Sequence, residues 1–248
     1  MTLWRLEWLR MIRTKRWIAI AAVFLFFGII GPLTARYMSE IIEQFGEGIE
    51  ITFPDPTPAD GIMQYSGNVQ QLGLLVLIMI AAGALTIESR YEMAVFLRTR
   101  VPDPFRLLIP RYVVVAATGV IAYVAGALLA WYETAILIGA PDTTAMIVGI
   151  LYGSAYLLFA VAVVGLAGAL LKNVVPTVIA ALAILLLLPL IGLIPQVAEW
   201  LPSHLVGALD ALVRGANGSE YARSLAVTLA ATLALLYGTM RVLASREL

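Results

Sequence analysis

The stretch AGALLKNVVPTVIA, residues 167–180, joins two long apolar runs through only two polar residues, Lys172 and Asn173. Pro176 falls in the first turn of the second run, where the missing N–H of proline breaks no helical hydrogen bond. A single helix over both runs, 145–194, would be about 75 Å long at 1.5 Å per residue, whereas the hydrocarbon of a bilayer is roughly 30 Å thick. The stretch therefore predicts a helical hairpin that crosses a membrane twice.

The composition of the whole chain also indicates a membrane protein. Of its 248 residues, 61% are hydrophobic and 13% are charged, whereas soluble domains are roughly 45–50% apolar and about 25% charged. The formal net charge is zero, which gives no sign of a nucleic-acid partner. The absence of cysteine excludes disulfides and thiolate metal sites.

Six apolar runs approach or exceed the length that a membrane crossing needs. They cover residues 17–33, 72–87, 112–132, 145–171, 174–194 and 225–243. The first run follows a basic segment, as in a signal peptide, but no small-residue cleavage signature comes after it, so we expect a retained anchor. These runs predict an all-α membrane protein with one transmembrane domain over residues 1–248.

Lys and Arg residues are distributed unevenly between alternate loops. The side that holds both termini would carry 13 of the 16 Lys and Arg residues, and the opposite side only Arg36, Arg214 and Arg223. Cytoplasmic loops of membrane proteins are enriched in these residues. We therefore expect both termini, the 88–111 loop and the turn at Lys172 to be cytoplasmic.

Three further segments lie outside the predicted spans. Residues 1–16 mix Leu, Trp and Ile with basic residues and predict an interfacial helix, with an ordinary basic flank as the alternative. Residues 34–71 are acidic, and FPDPTPADG (53–61) predicts an extended external loop. In the external segment 195–221, Leu205, Leu209 and Leu212 recur at helical spacing after Ser203, a residue type that caps helices. This segment predicts a short helix that dips into the membrane.

Sequence patterns that carry catalysis are missing. There is no Gly-x-x-x-x-Gly-Lys-Ser/Thr, so the chain has no P-loop for ATP. His204 is the single histidine, and Gly-x-Ser-x-Gly is absent. Glu133 follows Arg111 by 22 residues, about 33 Å of helix, which places it at the far edge of the hydrocarbon; a buried proton relay is the alternative. We predict no catalytic, cofactor or metal site in this chain.

The segment ESRYEMAVFLRTRVPDPFRLLIPR, residues 88–111, is charged and lies between the second and third apolar runs. It begins with good helix formers, and Pro102 and Pro104 then disfavour helix in the residue before each of them. Asp103 followed by Pro104 is typical of a helix start, an N-cap with proline at the first position. We predict a short amphipathic helix, a sharp turn and re-entry into the membrane; the alternative is a merely solvated basic loop.

At these residues the chain resembles the permease subunits of ABC-type-2 transporters. The shared order is an acid, an apolar run, Arg, a Pro-containing turn and a final basic residue, here Glu88 and Glu92, AVFLRTR, VPDP and Arg111. Met93-Ala94 stand where the family has Gly-Thr. The layout is also similar, with an interfacial helix, six spans with both ends inside, a tight turn after the fourth span and a half-dipping segment before the sixth.

The resemblance implies the membrane subunit of a bacterial exporter in the cytoplasmic membrane, without ATPase activity of its own. Separate ATP-binding subunits would bind ATP and Mg and would dock on the 88–111 segment, which would act as a coupling helix. A second permease subunit, identical or homologous, would complete the path, commonly lined by the second and fifth spans. The residues expected to dock are Glu88, Arg90, Tyr91, Glu92, Val95, Phe96, Arg98, Arg100, Asp103 and Arg106.

The apolar, almost uncharged spans favour an amphipathic or hydrophobic cargo, such as a drug, a peptide or a lipid-like molecule. Two other kinds of protein stay open as alternatives: a membrane-embedded enzyme acting on lipids, and a scaffold subunit without transport activity. The enzyme would need acids, a histidine or a nucleophile at one depth in the spans, where ionisable residues usually mark function.

Overall fold

The computed structural model of the protein describes residues 2–45, 55–86 and 103–245. Within these ranges the chain is helical and holds no strand. Its α-helices, numbered α1 to α10 in chain order, are Leu3–Arg13, Arg16–Phe45, Pro58–Asn68, Leu74–Leu85, Pro104–Leu137, Thr143–Leu171, Val174–Ile191, Pro195–Ala198, Ala208–Val213 and Ala222–Ala244. A π-helical turn, Val69–Gly73, joins α3 to α4, and 3-10 turns at Pro202–Gly207 and Gly218–Tyr221 flank α9.

Six helical stretches in the described ranges are long and apolar enough to cross a membrane. They are α2, α3 together with α4, α5, α6, α7, and α10 with the turn before it. Each overlaps one of the six apolar runs predicted from the sequence. The all-α architecture is confirmed, and the chain is a multi-pass membrane protein.

The hairpin predicted from residues 167–180 is confirmed. Helix α6 ends at Leu171 and α7 begins at Val174, and between them Lys172 adopts a left-handed φ of +63° that reverses the chain. Helix α6 is apolar on all sides and is the most buried of the six spans, as expected for a central helix. Helices α7 and α10 are the least buried and lie at the periphery.

The most extensive helix packing joins α2 to α5 at a pair of glycines. A Cβ on Gly28 would lie 2.6 Å from the carbonyl oxygen of Gly126, and a Cβ on Gly126 would lie 2.5 Å from that of Phe24. Both values are too short for any side chain, so this crossing requires glycine. Tyr65 closes the contact, because its hydroxyl donates to the Tyr123 carbonyl at 2.8 Å.

The prediction of a loop over residues 34–71 is wrong for most of the residues that the structure describes; residues 55–57 lie outside any helix, and Thr57 is extended as FPDPTPADG predicts. Helix α2 continues to Phe45, and α3 already begins at Pro58. Hydropathy marks the part of a helix that crosses hydrocarbon, whereas Glu and Ile are compatible with helix beyond that limit. At the start of α3, the Asp60 carboxylate accepts from the backbone N–H of Thr57 at 2.9 Å and from its hydroxyl at 2.6 Å, and so stabilises the helix start.

The segment 195–221 contains short helices that pack on α6. Leu205, Leu209 and Leu212 are buried, as the helical spacing predicted. The prediction that Ser203 caps this helix is wrong, since Ser203 lies inside the 3-10 turn that precedes α9. Gly149 of α6 allows the close approach, because a Cβ there would lie 2.7 Å from the Leu209 Cα.

The two ends of the bundle differ in charge. One end, which we call the basic end, holds α1, the starts of α2 and α5, the α6–α7 turn and the end of α10; Leu107, Ala169 and Leu243 form a buried cluster there. The described cations of this end are Arg5, Arg10, Arg13, Lys15, Arg16, Arg106, Arg111, Lys172 and Arg241, and its described acids are Glu7 and Asp103. The other end, the acidic end, has the described cations Arg36, Arg214 and Arg223 and the acids Glu40, Asp55, Asp60, Glu133, Asp142, Glu199, Asp210 and Glu220.

We expect Gly126→Ala to destabilise the protein. In an open helical position, Gly to Ala stabilises by roughly 0.5–1 kcal/mol, but at Gly126 the new methyl would overlap the Phe24 carbonyl oxygen. Gly67→Ala in α3 is the matched control, because nothing lies within 4 Å of a Cβ there. Thermal unfolding in a mild detergent should show a lower midpoint for Gly126→Ala and an equal or higher one for Gly67→Ala. Equal midpoints for both variants would contradict the glycine crossing.

Candidate docking site at the basic end

The structure describes the C-terminal part of the predicted docking segment. Asp103 and Arg106 lie at the start of α5. The other predicted docking residues lie outside the described ranges; they are Glu88, Arg90, Tyr91, Glu92, Val95, Phe96, Arg98 and Arg100. The place where the chain leaves the bundle is nonetheless defined, because Thr86 is buried with its hydroxyl 3.5 Å from that of Thr177 at the start of α7.

The helix start predicted at Asp103 is confirmed. Asp103 has an extended backbone, its carboxylate accepts from the backbone N–H of Phe105 at 3.0 Å, and Pro104 occupies the first helical position. The Asp103 carboxylate also lies 3.6 Å from Arg106 in an exposed pair. The cap fixes the direction in which the chain enters α5.

The first turn of α5 has an anchored side and an exposed side. Leu107 is buried against Ala169 and Leu243, which ties α5 to the ends of α6 and α10. Phe105 and Arg106 are exposed on the surface of the basic end. A partner that contacts this turn would therefore meet an aromatic ring and a cation held on a rigid helix.

A buried ion pair joins α1 to α5. The Nε of Arg111 donates to Oε1 of Glu7 at 3.0 Å, and both side chains are 7% exposed. Arg10 lies 3.7 Å from the other carboxylate oxygen of Glu7. This pair is not among the predictions from the sequence. One feature of the sequence does indicate a special role for Glu7, which is the single acid before Glu40 and lies among five cations. Because a buried charge requires a partner, this pair fixes α1 across the start of α5.

A small pocket with a few polar groups lies among the helices, where the π turn meets α5 and α6. Its walls include Ser66, Gln70, Tyr123 and Tyr156, and its volume is about 30 Å³, enough to hold a water molecule. The Ser66 hydroxyl is buried without a hydrogen-bond partner among the described residues, which suits such a water. The pocket is far smaller than the roughly 300–1,000 Å³ of sites that bind drug-sized ligands.

At the acidic end, the single histidine has a structural contact. His204 Nδ1 lies 3.1 Å from the Ser224 hydroxyl, which donates its own hydrogen to the Glu199 carbonyl at 2.6 Å. A hydroxyl has one hydrogen, so His204 must be the donor to Ser224. A serine nucleophile needs the opposite arrangement, with histidine as acceptor. The contact, together with stacking of His204 on Tyr221 at 4.6 Å, holds the 195–221 segment against the start of α10.

Asp210 is a partly buried acid of the same 195–221 segment. Burial raises the pKa of its carboxyl, and a backbone hydrogen bond and the nearby Arg214 partly oppose this shift. Arg214 in turn reaches α3, where its guanidinium lies 2.7 Å from Met63 Sδ. These contacts connect the 195–221 segment to the start of the second span. They do not bring together a set of groups suited to catalysis.

Comparison of the chain with protein-family models, with curated proteins and with solved structures finds no match. The candidate site therefore rests on geometry. A capped helix start, a buried anchor at Leu107 and a buried ion pair at Arg111 hold one rigid platform. The segment that the sequence predicts to dock rejoins the bundle at this platform, at Asp103.

We expect Glu7→Gln to weaken this platform strongly, because it leaves the buried Arg111 guanidinium without a compensating charge. Removing one partner of a buried ion pair costs about 3–5 kcal/mol. Glu199→Gln is the matched control; it breaks the exposed 2.9 Å pair with Arg223, which contributes at most about 1 kcal/mol. The unfolding midpoint in detergent measures both.

A double variant, Glu7→Met with Arg111→Met, removes both charges and should recover much of the lost stability. If Glu7→Gln unfolds at the same point as Glu199→Gln, the ion pair does not anchor α1.

Proposed function

We propose that this chain is the membrane permease subunit of an ATP-driven ABC transporter, and that its basic end docks on separate ATP-binding subunits. The observation that carries the proposal is the platform that directly follows the 88–102 segment in the chain, where Asp103 caps α5 and Arg111 joins α5 to α1. A loop that only links two spans needs neither a capped turn nor a buried ion pair. A segment that transmits force needs a rigid base.

The charge asymmetry supports a cytoplasmic position for the basic end and, with it, for both termini. The described part of this end carries nine cations and two acids, and positive residues favour the cytoplasmic side. Trp4 and Trp8 of α1 are exposed among these cations, as expected for a helix in the headgroup layer. We infer that the host membrane is the bacterial cytoplasmic membrane.

Docking would combine an apolar contact with charged groups at its rim. Tyr91, Val95 and Phe96 supply apolar side chains for a groove on the ATP-binding subunit, and Glu88 and Arg98 supply the charges. Aromatic and arginine residues dominate the binding energy of many interfaces, and charge complementarity sets the choice of partner. The exposed Phe105 and Arg106 of α5 would extend this surface.

Movement of the docked subunit would reach the membrane through α5. Leu107 packs against Ala169 of α6 and Leu243 of α10, and Arg111 holds α1, so α5 would move these helices with it. Packed elements of this kind transmit displacements as units. ATP binding and hydrolysis in the partner would thus tilt several spans together.

A second permease subunit, identical or homologous, would be needed to form the path. The pocket at Ser66 within this chain holds about 30 Å³, an order of magnitude below what a drug-sized cargo fills. The larger groove between α1, α2 and α5, about 280 Å³, is lined by residues on the outside of the bundle such as Trp17 and Ile121 and does not run through it. The cargo path would therefore lie between two subunits. Helix α7, whose Ile179, Leu186 and Leu190 are exposed, supplies a face for such a contact. The apolar spans favour export of an amphipathic or hydrophobic molecule, such as a drug, a peptide or a lipid-like compound.

The partner can be tested by purification from the native host in several mild detergents, followed by identification of proteins present in stoichiometric amount. We expect a P-loop ATPase to copurify with the wild-type chain and to be lost from Glu88→Ala and Arg98→Ala variants that still insert in the membrane. Arg223→Ala, at the acidic end, is the control and should retain it. A partner-free chain in every detergent would favour the scaffold or enzyme alternatives.

The orientation can be tested separately, because the chain contains no cysteine and each introduced cysteine is unique. Ser245 at the basic end and Ser219 at the acidic end are both exposed. In intact spheroplasts, we expect a membrane-impermeant maleimide to label Ser219→Cys and to leave Ser245→Cys unlabelled until the membrane is opened. Labelling of Ser245→Cys in intact spheroplasts would reverse the proposed orientation.

A further inference from the structure

A concave apolar groove lies between α1, α2 and α5, close to the basic end. Its volume is about 280 Å³ and its lining is almost wholly apolar; it includes Trp8, Ile12, Trp17, Leu25, Ile121 and Ala125. Three helices surround it, so an occupant would make contacts on several sides. On the convex face of α7, by contrast, a lipid chain would be contacted from one side only.

The length of the groove matches one leaflet of a bilayer. Trp17 and Leu25 line it along α2, and their separation of eight residues corresponds to about 12 Å of helix. Half of the roughly 30 Å hydrocarbon layer is about 15 Å. A groove of this length would take one acyl chain from the headgroup layer to near the middle of the membrane.

Tryptophans line the groove, and two cations adjoin its lining residues in the chain. Trp8 and Trp17 line it and are exposed, and tryptophan favours the headgroup layer because its ring is apolar and its N–H is polar. In the chain, Arg13 and Lys15 lie between the lining residues Ile12 and Trp17. Both cations are exposed, and neither forms an ion pair with a described residue.

Lys15 lies in the turn between α1 and α2 and has an unusual backbone. Its φ of +55° is left-handed, a conformation in which glycine or asparagine is favoured over lysine. This turn sets α1 across α2 and so shapes the groove. A lysine here therefore combines a strained turn with a charge at the level of the lipid phosphates.

We propose that the groove is a binding site for one anionic phospholipid, with an acyl chain between α1, α2 and α5 and the phosphate near Arg13 and Lys15. The negative headgroup complements the unpaired cations, and the apolar lining suits the chain. This site requires only that the chain lies in a bilayer, and it is independent of the proposed transport function.

The site can be tested by native mass spectrometry of the full chain released from nanodiscs of equal phosphatidylglycerol and phosphatidylethanolamine. We expect one phosphatidylglycerol molecule to be retained in preference to phosphatidylethanolamine. The double variant Arg13→Gln, Lys15→Gln should lower this preference by more than about tenfold. Lys172→Gln is the matched control, since Lys172 also has a left-handed backbone at the same end, φ +63°, but lies between α6 and α7, neither of which lines the groove. Equal retention of both lipids by the wild-type chain would overturn the proposal.

A second measurement locates the lipid without any substitution. Phosphatidylglycerol with a photoreactive acyl chain should label peptides of α1, α2 and α5 that line the groove well above those of the exposed α7. Labelling spread evenly over all exposed spans would show ordinary bilayer contact, and labelling absent from the groove would show that another occupant covers it. Either result would refute the site.

Discussion

The buried pair between Glu7 and Arg111 is the interaction on which the basic end depends. Its two residues lie 104 positions apart in the chain, and each is almost wholly removed from solvent. Neither charge is tolerable alone in such a place. The pair therefore forms only when α1 lies across the start of α5. The groove between α1, α2 and α5 and the entry of the third span both rely on that arrangement.

Sequence reasoning was most successful where structure is local. The turn at Lys172 and Asn173 and the cap at Asp103 both depend on neighbouring residues, and the structure confirms both. The helical spacing of Leu205, Leu209 and Leu212 also predicted a buried face. Helix ends were predicted less well. Hydropathy indicates only the part of a helix that lies in the hydrocarbon, whereas backbone hydrogen bonding continues α2 to Phe45 and begins α3 at Pro58.

Contacts between distant residues could not be read from the chain. Nothing in the sequence distinguishes Gly28 and Gly126 from other glycines; their role is visible only where α2 and α5 cross. Likewise, the sequence shows Glu7 as one acid in a basic segment, and only the structure shows its contact with Arg111. The candidate site thus depends partly on local sequence and partly on contacts between distant residues. The docking residues from Glu88 to Arg100 were chosen by pattern and resemblance and stay predictions, whereas the platform beside them became visible only in three dimensions.

The central claim is that the basic end carries an ATP-binding partner. The most direct measurement is single-particle electron cryomicroscopy of the particle purified from its host in mild detergent. Our account predicts density for a P-loop ATPase against the basic end, in contact with the segment between Thr86 and Asp103. A particle that contains this chain alone, or a partner bound only at the acidic end, would contradict it.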